Sequence, residues 1–142
     1  MDLIQLKNTS DEQFKKDISF NAIMPDDTNE GYETDVVLTV KSAKNPSVTT
    51  QLSKLINASQ KETKKLERPN LSDEQYKEVT ASVVATEKAI AELMLVKFSG
   101  LTDGDKPHPC NKETMSALVE DHGWIRKNIV NKATSEHAFY KV

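Results

Sequence analysis

The sequence predicts an α+β fold, mostly α, in which an N-terminal antiparallel β-ribbon is followed by about four helices. Three observations predict it. Two early stretches, "ISFNAIMP" and "DVVLTVK", alternate or cluster apolar residues as half-buried strands do. From Asn45-Pro46 onward the apolar period lengthens to that of a helix. The helical stretches also carry start and stop signals, most completely at Ser72. At 142 residues the chain has the size of one domain. Residues 1–142 are therefore read as a single domain, with a strand-rich part over 1–44 and a helical part over 45–142. Charged residues make up 29% and apolar residues 37%, which predicts a modest core and mobile termini, the first residues included.

The strands come first. Ile18, Phe20, Ala22 and Met24 alternate with polar neighbours until Pro25 ends the run. "DDTNEGYET" is turn-rich. Val36, Leu38 and Val40 would share one face of the second strand. A two-stranded ribbon is marginal alone and must pack on something.

Four helices follow. Val48, Leu52, Leu55, Ile56 and Ser59 set the phase of the first. Its second half, "QKETKKLE", is polar except for Leu66, so it projects into solvent or against a partner, and Pro69 stops it. Ser72 and Gln75 form a capping box for the next helix, with Leu71 and Tyr76 at the staple positions. That helix is expected to run to about Lys97, with Tyr76, Val79, Val83, Ile90 and Leu93 as its main stripe, widened by Val84, Met94 and Leu95. Asn111 caps a short third helix with Met115, Leu118 and Val119 inward and Gly123 as its C′ residue. Ile125, Ile129 and Ala133 are in phase in the last, with Trp124 at its start.

Charge and motif content exclude several functions. Net charge is −3, against a non-specific nucleic-acid binder, which needs surplus Lys and Arg to displace counterions. The charge is uneven: residues 1–40 hold nine acids and three bases, whereas 41–77 hold eight bases and four acids. No apolar run approaches the ~20 residues of a membrane span, and "MDLIQLKN" lacks the regions of a signal peptide. One Cys cannot form an internal disulfide. A soluble, cytoplasmic protein is the expectation.

Chemistry would be sought in "FSGLTDGDKPHPCNKETM". His108, Cys110 and His122 lack the paired spacing of zinc ligands. Lys106 and Pro107 break the calcium-loop pattern that "DGD" begins. Cys110 lies at N′ with Met115 at N4, so it reads as packing at the helix start more simply than as a nucleophile. No catalytic, metal-binding or cofactor-binding residue is assigned, no cofactor is expected, and the chain is not read as an enzyme. The last two helices could pass for a helix-turn-helix presenting Arg126, Lys127, Asn128, Asn131 and Lys132, but Glu120 and Asp121 precede them. Phe139 and Tyr140 either pack back onto the central helix or, with Trp124, help form an apolar groove or hook for a partner protein.

The order of these motifs resembles the small tail assembly chaperones of long-tailed bacteriophages and related small phage tail proteins. "DVVLTVKSAKNPSV", a lysine-rich helix, a long apolar helix ending "LVKFSGL", the loop "TDGDKPHPCNKET" and "WIRKNIVN" carry the resemblance, over roughly Asp35 to Val130. Asp105 interrupts the family's Gly-Lys-Pro pattern, Phe98 stands where Trp is expected, and Gly123 stands where Pro precedes the Trp. The resemblance implies a non-enzymatic protein of the host cytoplasm. It would bind the long helical tape measure protein and help recruit tail tube subunits; the chain's own acidic and basic ends are compatible with reversible, salt-sensitive self-association or tube-protein contact. Its expected contact residues are Trp124, Ile125, Ile129, Phe139 and Tyr140, with the outer half of the lysine-rich helix. The alternatives are a structural virion protein, such as a tail or head–tail completion subunit, and then a DNA-binding regulator.

Overall fold

A computed structural model describes residues 2–140. Its sheet has three antiparallel strands in the order β1-β2-β3: β1 (Ile18–Met24), β2 (Tyr32–Val40) and β3 (Leu95–Ser99). The first two are the expected ribbon, with Ile18 opposite Val40 and Phe20 opposite Leu38. Ile18, Ala22, Leu38 and Val40 are buried, and Val36 and Phe20 are partly buried against them. Met24, expected on the same face, is exposed beyond the irregularity between Asn21 and Ile23. In the turn after β1, Asp26 accepts hydrogen bonds from the backbone N–H and the hydroxyl of Thr28 at 2.7 and 2.6 Å.

The third strand corrects the sequence reading, which continued the central helix to about Lys97. The helix stops at Met94, and Leu95 is already extended at φ −74 and ψ 123. Leu95 and Phe98 are buried in the strand, with Phe98 opposite Leu38. A short apolar run fits a helix or a strand equally in periodicity. What decides here is β2, whose free N–H and C=O groups gain ladder partners from β3. Gly100 then ends the strand at φ 84, where a Cβ would overlap the carbonyl oxygen of Asp35.

The helices are α1 (Leu3–Gln13), α2 (Thr49–Lys65), α3 (Asp73–Met94), α4 (Lys112–Asp121), α5 (Gly123–Ala133) and α6 (Glu136–Tyr140). The first was not expected. Asp2 and Gln5 form a capping box at 2.8 and 3.1 Å, and the helix delivers Phe14 into the core. The boxes at Ser72/Gln75 and Asn111/Thr114 are also made. Asn70 takes the left-handed conformation, φ 67, in the turn from α2 to α3. Gly123 stands at the C′ position of α4, after the C-cap His122, but does not take the left-handed conformation of a capping glycine. The single extended residue His122 separates the helices, and Gly123 already belongs to α5.

α5 packs on α3, β1 and β2, and α4 packs on α3, α5 and β3. The core so formed includes Phe14, Leu38, Met94, Val119, Ile125, Ile129 and Phe139. The α2–α3 hairpin is inserted between β2 and β3, and only its base reaches this core: its buried residues are Leu52, Ala91 and Met94. The segment between β2 and α2 is docked by backbone bonds from Lys41 to Met94 and from Ala43 to Ala133.

Candidate protein-binding site

The Phe98–Met115 segment is built as a turn. β4 (Thr102–Asp103) and β5 (Lys106–Pro107) form a miniature hairpin around Gly104, whose φ is 64. A glycine at positive φ in the first position of a two-residue turn matches a type II′ hairpin. His108 is held on three sides. Its Nδ1 lies 2.7 Å from the Asp103 carboxylate, its backbone N–H donates to Leu101, and its ring stacks on Phe98 at 6.1 Å. Cys110 is exposed, so it does not pack at the start of α4 as its position suggested. Met115 does pack there, partly buried against the core. The Cys110 sulfur instead accepts a hydrogen bond from the Phe98 backbone N–H at 3.3 Å.

His108 and Cys110 therefore each face a different partner and do not form a base–nucleophile pair. A shallow cleft of about 380 Å³ beside the loop is lined by Asp103, His108, Asp121 and His122 among others. Among the described residues, no three His, Cys, Asp or Glu side chains are grouped so as to hold a metal ion.

The five expected contact residues do not form a surface together. Ile125, Ile129 and Phe139 are 2%, 0% and 0% exposed, so these three are corrected to core residues. A stripe at i and i+4 fits a core face as well as a docking face, and here the sheet covers it. Trp124 is partly buried against the same core. Tyr140 alone is exposed, resting edge-on against Phe14 with ring centroids 5.5 Å apart.

The polar face of α5 is largely committed inside the fold. Arg126 donates through Nε to Glu87 at 3.1 Å and through Nη1 to the Val119 and Glu120 carbonyls at 2.8 and 3.2 Å. The Asn128 amide accepts from the Ile23 N–H and donates to the Ile23 carbonyl, at 2.8 and 2.9 Å. The Lys132 ammonium sits over the Phe20 ring at 5.5 Å. Three of the five side chains that a DNA-reading helix would need are thus engaged, and one residue, His122, replaces the usual turn of three or four.

The surface that lacks cover is the outer part of the α2–α3 hairpin. Leu55, Leu66, Val79, Val83 and Val84 are only partly buried, because two helices alone can shield one stripe each. Ile56 and Tyr76 are 38% and 55% exposed. Burying one such side chain fully is worth about 1.5–3 kcal/mol, a gain this arm leaves unrealised on its own. Its charges are uneven: Lys54, Lys61, Lys64, Lys65 and Arg68 outnumber Glu62 and Glu67 on and just after α2, and Asp73, Glu74 and Glu78 outnumber Lys77 on the first turns of α3. The polar half of α2 signalled this projection in the sequence. A second exposed apolar cluster, Leu3, Ile4 and Leu6 of α1, was missed, although its spacing was readable once Asp2 is seen as a cap.

Among the described residues no helix is long and apolar enough to cross a membrane. The chain matches no family model, no curated protein and no solved structure.

Proposed function

We propose that this chain is a non-enzymatic tail assembly chaperone of a long-tailed bacteriophage. It binds the tape measure protein in the host cytoplasm and helps recruit tail tube subunits. The observation that carries the reading is the arm: α2 and α3 leave the core as a pair and keep their apolar residues half-covered. A pair of helices with an open stripe offers a groove in which an amphipathic helix of another protein can lie. The ordered motifs from Asp35 to Val130 support the phage setting.

Co-expression with the long helical tape measure protein tests it. The partner should stay soluble with this chain and aggregate without it. Val79→Asp with Val83→Asp should remove the protection while far-ultraviolet circular dichroism still reports a folded core. A partner equally soluble with and without the chain would sink the proposal. Mass spectrometry of purified particles separates a chaperone, which leaves, from a structural virion subunit, which stays.

A further inference from the structure

We infer that in the free chain the arm is covered by the arm of a second copy, the two hairpins forming a four-helix bundle. The charge pattern selects this occupant. In one hairpin the basic end of α2 lies beside the acidic start of α3, yet no ion pair joins the two helices among the described residues. Among the described residues Lys61, Lys64 and Arg68 have no carboxylate within pairing distance and Asp73, Glu74 and Glu78 no cation, whereas Lys65 pairs with Glu62 inside α2. An acidic or a basic peptide would complement only one of these helices. A second hairpin presents both signs, in the order needed.

The geometry follows from symmetry. A two-fold axis parallel to the arm places α2 of one copy beside α3 of the other, running antiparallel. The basic end of each α2 then meets the acidic start of the other copy's α3, twice, in a self-complementary contact. The result is an up-down-up-down bundle, in which helices cross at about 20° around a shared apolar core. Ile56, Tyr76, Val79 and Val83 supply side chains for that core, which neither hairpin completes alone. This deepens the chaperone reading, since a client helix would have to displace the second copy from the same stripe.

Sedimentation equilibrium of the purified full chain tests the pairing. The chain should sediment at twice its own mass at low salt and dissociate as salt screens the contact. Lys61→Glu with Lys64→Glu should give a monomer, and so should Glu74→Lys with Glu78→Lys. Mixing the two variants should restore a dimer, which two merely misfolded proteins would not do. A wild-type chain that is monomeric at every salt concentration overturns the inference, as does a dimer that survives both reversals. A monomer that still keeps its client soluble would end the pairing alone. A dimer that leaves its client insoluble would end the chaperone reading alone.

Discussion

Arg126 joins three parts of the molecule through one guanidinium, pairing with Glu87 of α3 and satisfying two terminal carbonyls of α4. Those carbonyls have no partner within their helix, so the side chain does the work of a C-cap. Gly100 is equally constrained, by backbone. Gly100→Ala places a Cβ on the Asp35 carbonyl oxygen at a φ of 84, so β2 and β3 must separate locally. Chemical denaturation should show a loss of several kcal/mol, beyond the ~1 kcal/mol of a typical substitution. Gly104→Ala, with no atom near its Cβ, should lose less. Charge gives a different test. The Lys88 ammonium, 2.8 Å from Glu120, holds that carboxyl below its ordinary range through a hydrogen bond and its charge. A depressed carboxyl stabilises the fold above its unfolded value, and the contribution is lost as pH falls through the folded one. Lys88→Met should therefore flatten the fall in stability over the acid carboxylate range, and leave the slope near neutral pH unchanged.

The elements show which local signals decide. Ser72/Gln75 and Asn111 announced α3 and α4 because a cap is a short-range arrangement, complete within four residues; that Thr114 completes a box with Asn111 is seen in the structure. Asp2/Gln5 made the same announcement for α1, but the polar run after it masked the helix. The end of α3 was not legible: Leu95 to Phe98 continue an apolar stripe, and only the presence of β2 beside them makes a strand. The arm was legible in outline, from the polar second half of α2, yet its open stripe needed the structure to be seen. This element should also be the least protected. Few of its side chains are buried within one chain, so in the monomer, at salt high enough to part the proposed pair, native-state hydrogen exchange should find amides of residues 61–65 and 75–80 opening at far lower cost than those of β2 and α5. Equal protection throughout would mean that something covers the arm more completely than the single chain does.

At the scale of the whole molecule, the α+β class and the passage from the β-ribbon to the helices α2–α5 were readable, because periodicity and caps are local, whereas α1 and β3 were not. The choice between core and contact was not. Ile125, Ile129 and Phe139 look alike in sequence whether a sheet or a partner covers them, and here the core does. The distinctive loop was read for chemistry, and its one cysteine turns out to accept a backbone hydrogen bond from β3. Together with Asn128, which takes both backbone groups of Ile23, it acts on the two outermost strands of the sheet. Each rim of a small sheet is a template onto which a stray extended chain can add. On β1 an amide stands in for the next strand, and on β3 a sulfur occupies one of its donors. Each rim thereby has one residue withdrawn from such pairing, a useful restraint for a protein whose proposed task is to stay beside aggregation-prone chains without joining them.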